Sequence, residues 1–368
     1  MHNMLAVQFL RCALLILGGF LAGIPLVAAH PPGLSSLDVV LLPQAVTVNI
    51  TFAIDDIEAL VPMDSDFDAE VTPAEQEASK PKIAALLAQE LQLTLDGQVH
   101  TPTPGNVSFD DQNNAHITLQ YAVAAMQSIS VQSKLLSRLA AEHKQYATIK
   151  RDGIELGQKM LTQQDSVLTL NVTQAADATP TSGAAAFWEF VKLGVEHIVT
   201  GYDHLLFLFS LLVVTRSFWP AIKIITFFTI AHSITLALAG ANIFDIPSSI
   251  IEPFIAATIM YVGAENLFRG EHPKGRSLLT FGFGLVHGFG FAGVLREMGI
   301  GAGGSGILIP LFSFNLGVEI GQLCIASVVL PLIWWLHSKP SIGKFLTPVG
   351  SSIAVLGGAY WFIERTLM

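Results

Sequence analysis

Two cysteines in 368 residues are too few for a disulfide framework, and they fall in separate apolar stretches, Cys12 near the start and Cys324 far along the chain. Charge is scarce as well. Only 13% of residues are Asp, Glu, Lys or Arg, against roughly a quarter in soluble domains, while 51% are hydrophobic. A wholly soluble globular protein is excluded by that balance. Lys and Arg are especially few between residues 30 and 180, where 19 acids face 8 bases, whereas residues 181–368 hold ten of each. With no basic footprint, nucleic acid is excluded as a partner. No nucleotide-binding motif is visible either, which removes ATP as a driver.

The N-terminus, MHNMLAVQFLRCALLILGGFLAGIPLVAA, carries Arg11, an apolar run and a small-residue end at Val27-Ala28-Ala29. It reads as a secretory signal over 1–29, cleaved before His30; the alternative is an uncleaved first transmembrane helix. From 36 to 175, short alternating segments such as VTVNITFAI, LQLTLDG, HITLQYAV and SVLTLNV are separated by Pro, Gly, Asp and Asn turns. That spacing predicts a mainly-β sandwich outside the membrane over 30–175. The small, polar stretch 176–186 suits a linker.

Within the expected sandwich, Asp64, Asp66, Asp68, Glu70, Thr72 and Glu75 fall at positions 1, 3, 5, 7, 9 and 12 of an EF-hand-like loop. Oxygen ligands in that order suit Ca²⁺. Ala69 stands where such loops carry glycine, so the expected site is weakened or remodelled; the alternative is a solvated acidic loop.

Beyond the linker, residues 187–368 contain six apolar segments, near 197–215, 219–240, 247–268, 278–297, 308–336 and 345–363. Each approaches the ~20 residues needed to cross hydrocarbon. The fold class expected is therefore an extracytoplasmic β-sandwich followed by a polytopic α-helical membrane domain of about six transmembrane helices. Seven Lys and Arg flank the inner connections and three the outer side, which places the sandwich and the C-terminus outside a bacterial inner membrane. Residues 187–196 are expected to lie at the outer interface.

Ionisable residues inside spans mark functional sites by default. Here they are His197, Asp203 and His204 in the first span, His232 with Ser233 in the second, His287 in the fourth, and Glu319 flanked by Asn315 and Gln322 in the fifth. Counted from the outer boundary, the polar groups of four helices lie roughly 10 to 16 Å deep. Imidazoles with carboxylates form a nitrogen and oxygen set suited to Ni, Co or Zn. Seven residues separate His197 from His204, which predicts a shared helix face two turns apart. Glu265 and Asn266, near the inner end of the third span, could extend a polar path inward.

His197-Ile-Val-Thr-Gly-Tyr-Asp203-His204 resembles the His-x5-Asp-His signature of the HupE/UreJ family, and Phe283-Gly-Leu-Val-His287-Gly-Phe-Gly resembles its second histidine motif. Phe-Thr-Ile-Ala-His232-Ser and Phe-Asn315-Leu-Gly-Val-Glu319-Ile-Gly-Gln322 resemble the branch with an extracytoplasmic N-terminal domain. The resemblance implies a nickel or cobalt permease. The second motif lacks the family's leading Phe-His and terminal Glu, a carboxylate that Glu319 would replace.

Three functions stay open. One is an importer of a divalent transition metal, with His197 as entry ligand and Asp203, His204, His232, His287 and Glu319 as the central site. Another is an intramembrane Zn²⁺ hydrolase with Asp203 or Glu319 as general base. The third is a metal-responsive sensor or assembly factor whose sandwich recruits a protein partner. A cleaved terminus would also give His30 an α-amine and an imidazole for outer metal capture; the alternative is a loose stub.

Overall fold

The structure is a computed structural model that describes residues 33–67, 71–110, 113–123, 126–172, 182–241, 243–244, 246–269, 275–291 and 308–367. The expected signal segment, His30, Asp68, Ala69, Glu70 and most of the expected linker lie outside the described residues.

The first part is mainly β. A six-stranded sheet has the order β5 (Thr103–Phe109), β6 (Asn114–Ala122), β2 (Ala45–Ala53), β1 (Leu34–Leu42), β8 (Lys144–Arg151), β9 (Ile154–Leu161). A four-stranded sheet has the order β10 (Val167–Asn171), β7 (Ser128–Ser133), β3 (Leu91–Leu95), β4 (Gln98–His100). The β1–β8 pair is parallel and the other pairings are antiparallel. Alternation decides which face is inward. In β2, Val46, Val48, Ile50 and Phe52 are buried at every second position. They share one core with Leu93, Val131 and Leu168 of the smaller sheet, which makes a sandwich.

The segments read as strands from the sequence, LDVVLLP, VTVNITFAI, LQLTLDG, HITLQYAV, SISVQSKLL, YATIKR, IELGQKML and SVLTLNV, all form strands, and the structure adds β4 and β5. It also adds two helices, α1 (Ile54–Leu60) and α2 (Pro73–Glu90). The acidic loop runs straight into α2. Thr72 is the N-cap, Pro73 opens the helix, and Thr72 and Glu75 form a reciprocal capping box. The Thr-x-x-Glu pattern was thus a helix start as well as the end of a calcium-loop pattern.

The second part is helical: α3 (Ser182–Thr200), α4 (Tyr202–Leu212), α5 (Phe218–Gly240), α6 (Ser248–Arg269), α7 (Arg276–Gly290), α8 (Leu308–His337) and α9 (Gly343–Leu367). Four of them, α5, α6, α8 and α9, are long and apolar enough to cross a membrane. Large apolar side chains such as Phe254, Phe268, Phe312 and Val328 stay exposed on this bundle, as a lipid-facing surface requires.

The first expected span differs from its sequence reading. It is not one helix over 197–215, because the chain breaks at Gly201 between α3 and α4. Nor is 187–196 a separate interfacial helix: α3 continues through it to Thr200 and packs along α8. Close packing there depends on glycine. A Cβ on Gly194 would overlap the Phe314 carbonyl, and one on Gly317 would overlap the Val191 carbonyl.

Sandwich and bundle share a hydrophobic cluster. Leu34, Tyr146 and Met160 from the outer face of the larger sheet pack with Phe190, Leu193, Phe291 and Phe314. Tyr146 and Phe190 meet edge to face at 5.4 Å, and Lys144 pairs with Glu196.

Two expectations follow from this packing. Gly317→Leu should destabilise the bundle by about 1–3 kcal/mol through overpacking, whereas Gly282→Ala, with nothing within 4 Å of an added Cβ, should leave unfolding in micelles unchanged. Glu75 accepts from the backbone and hydroxyl of Ser65 and of Thr72, which lowers its pKa from 4.5 to about 2. Its folded-state pKa is depressed, so its contribution is present above pH 4.5 and fades as pH falls toward 2. Melting curves across that window should fall more steeply for the wild type than for Glu75→Gln.

Candidate metal centre

The break at Gly201 builds the site. An unbroken helix would set His197 and His204 roughly 10 Å apart along its axis; instead their rings meet at 4.6 Å. Gly201 is needed at the elbow because a Cβ there would sit 2.8 Å from the His197 carbonyl and 2.9 Å from His204 Nδ1. The expected two-turn separation is therefore corrected. Asp203, in the first turn of α4, accepts the His204 backbone N–H at 2.8 Å, so a carboxylate covers a free donor at the helix start.

Three ring nitrogens can be assigned from their partners. Asp203 Oδ1 can only accept, so His204 Nδ1–H donates to it at 2.8 Å, leaving Nε2 bare. Thr258 Oγ1 gives its proton to the Ile255 carbonyl at 2.7 Å, so His287 Nε2–H donates to Thr258 at 2.9 Å, leaving Nδ1 bare. Asn315 donates Nδ2–H to the Leu311 carbonyl, which turns Oδ1 toward His232, whose Nδ1–H donates at 2.9 Å. Among the described residues, His204 Nε2, His287 Nδ1 and His197 Nε2 are buried with no hydrogen-bond partner.

The rings form a chain. His204 lies 4.6 Å from His197 and 5.5 Å from His287. Phe291 and Phe314, stacked at 4.2 Å, close over His197, while Phe207 and Phe228 flank His287. His232 stacks against Phe228 at 5.9 Å and Phe314 at 6.4 Å, the latter ring also covering His197.

Glu319 joins a different group. Its Oε1 accepts from Thr226 at 2.6 Å and its Oε2 is buried without a partner among the described residues, about 6 Å along α8 from Asn315. Gln322 accepts from Thr229, and Ser233 donates to the Thr229 carbonyl. Glu265 and Asn266 form a third group, around a residue the sequence reading missed. Arg276 donates to Asn266 at 2.7 Å and lies 3.5 Å from Glu265. Both Asn266 and Arg276 donate to the Ser210 carbonyl, so they satisfy the C-terminal end of α4.

Arg365 was also missed as a site residue, having counted only as a charge on the tail; its Nη2 donates to Asp203 Oδ2 at 3.1 Å. Thr258 and Phe291 carried no distinguishing sequence signal, since threonines and aromatics are common in apolar spans, and Phe314 stood only as the residue before Asn315 in a quoted motif.

Outside the membrane part, Ser35 Oγ lies 2.9 Å from His143 Nε2, and His143 Nδ1 lies 3.6 Å from Asp56. Ser35 and His143 are both 0% exposed. That burial denies a substrate access, so this Ser-His-Asp grouping braces β1 against the turn before β8. Among the described residues, Asp64, Asp66 and Glu75 can each bring a carboxylate oxygen within 4.8 Å of the others. The Glu75 oxygens already accept four hydrogen bonds from Ser65 and Thr72.

None of the curated proteins compared matches the chain. The profile of the family described as HupE / UreJ protein matches residues 173–365, which spans α3 to α9 and every histidine of the chain of rings. More than half of the sequence lies in that match, and the chain is a membrane protein that belongs to the HupE/UreJ family.

Proposed function

We propose that the protein is a permease for divalent nickel or cobalt ions in the bacterial inner membrane, with its sandwich and C-terminus outside. One observation carries the reading. Three buried imidazole nitrogens, on α3, α4 and α7, have no hydrogen-bond partner among the described residues and belong to rings in successive contact. An unsatisfied buried polar atom costs about 1–3 kcal/mol, so gathering three of them in an apolar bundle is unfavourable unless a ligand takes their lone pairs. Borderline divalent metals accept imidazole nitrogen, and the family is associated with nickel and cobalt transport.

The imidazoles form a succession rather than a closed cage, an arrangement suited to passing an ion along. His197 is the outer ligand, His204 the middle one and His287 the inner one; His232, and Glu319 with Thr226, offer further steps. The zinc hydrolase reading is weaker because it needs a free general base. Asp203 is engaged by His204 and Arg365, and Glu319, whose Oε2 has no partner among the described residues, bonds to Thr226 in a group apart from the imidazoles.

Purified protein in sealed vesicles is expected to take up Ni²⁺ or Co²⁺. His204→Ala and His287→Ala should each lower metal affinity by more than the ~10 to 100-fold typical of losing a supporting carboxylate. Uptake that persists at the wild-type rate in both variants would refute the shared site. The acidic loop carries a separate proposal: Ca²⁺ held by Asp64, Asp66 and Glu75 should raise the melting temperature of the full chain by mass action. An unchanged melt at millimolar Ca²⁺ would leave the loop as a helix-capping structure alone.

A further inference from the structure

Arg365 lies in the last turn of α9, far in sequence from any histidine, yet it reaches the centre of the site through one carboxylate. Its Nη2 donates to Asp203 Oδ2 at 3.1 Å, and its Nη1 to the Glu252 carbonyl at 3.4 Å. Its Nε stands 3.7 Å from the Glu252 carboxylate, and the guanidinium lies 5.9 Å from the Trp361 ring centroid. Side-chain exposure falls along this line from 48% at Glu252 to 18% at Arg365, 17% at Asp203 and 11% at His204.

The two oxygens of Asp203 do different work. Oδ1 accepts both the backbone N–H and the Nδ1–H of His204, each at 2.8 Å, while Oδ2 is held by Arg365. A carboxylate turns readily about its last torsion. Without a partner on Oδ2, nothing else described here would keep the carboxylate plane fixed while Oδ1 serves two donors. The planar fork of arginine supplies that restraint and bridges to Glu252 as well.

We infer that Arg365 is a positioning residue that acts through Asp203 to hold His204 as the Nδ1–H tautomer, with its bare Nε2 among the rings of His197 and His287. The role in metal handling rests on the permease reading above; the effect on His204 stands without it. The guanidinium also supplies the positive charge that a carboxylate at this depth needs.

The test uses the full chain in micelles, labelled with ¹⁵N-histidine, because N–H and bare ring nitrogens give separate signals; His204 is assigned by its loss in His204→Ala. Metal-free wild type is expected to show one His204 tautomer. In Arg365→Gln a second tautomer should appear, and Co²⁺ affinity should fall ~10 to 100-fold at unchanged stoichiometry. Arg365→Lys, which keeps the charge but loses the fork, should restore the wild-type pattern only in part. Glu252→Gln controls for merely loosening α9 from α6, and it should leave the His204 signals alone.

A wild-type His204 spectrum in Arg365→Gln overturns the inference whatever the metal does, as does the same tautomer shift in Glu252→Gln. If Arg365→Gln does not fold, Arg365→Lys decides, and wild-type signals in it overturn the inference. Should the wild type bind no Co²⁺ while the tautomer still shifts in Arg365→Gln, the positioning role stands and the permease reading falls.

Discussion

The break in the helix at Gly201 is the constraint from which the rest of the centre follows. In hydrocarbon, interrupted backbone is tolerated only where protein groups satisfy the freed N–H and C=O. Both ends of α4 meet that condition. Asp203 takes the His204 N–H at its start. Near its end Asn266 and Arg276 donate to the Ser210 carbonyl, with Trp334 donating to that of Thr215 just beyond. Discontinuous helices in membrane proteins commonly place ion sites at such breaks, and here the break folds two histidines from consecutive turns onto one another.

The same hydrogen bonds that satisfy the backbone also fix the imidazoles. Asp203, Thr258 and Asn315 each take the proton of one histidine, and together they determine which nitrogens remain as donors of a lone pair. In metal sites, losing a supporting group of this kind typically costs ~10 to 100-fold in affinity. Asp203 is the most constrained of the three, because it accepts a backbone N–H in the first turn of α4, orients a histidine and pairs with Arg365 at once.

Much of this was legible in the sequence. Period-two alternation gave the strands, and the unusual placement of histidines and carboxylates in apolar runs picked out His197, His204, His232 and His287. What the sequence hid has physical reasons. Glycine inside an apolar helix signals close packing at Gly194 and an elbow at Gly201, and its one-letter identity does not distinguish the two. Glu319 was grouped with the histidines on depth and on the family resemblance, neither of which fixes azimuth around the bundle; its side chain meets Thr226. Arg276 and Arg365 were counted as flanking charges, because a rule about loop composition ignores where a long side chain folds back. The Thr72 to Glu75 stretch matched two patterns, and the capping box in the structure is the local one.

The parallel pairing of β1 with β8 bears on how the chain is made. β1 sits in the middle of the larger sheet, between β2 and β8, and its registered partners lie about 110 positions later, as in Leu37 with Ala147. Such long-range pairing closes slowly. A ribosome adding roughly 5–20 residues per second will have delivered β2 to β7 before the edge of β1 can be covered, and α3 begins only about thirty residues after β8 ends. One side of β1, with its unpaired N–H and C=O groups, is therefore open for most of the synthesis of the sandwich. The β1–β2 hairpin covers only the other edge of β1, so during that interval the open edge is available for pairing with another molecule.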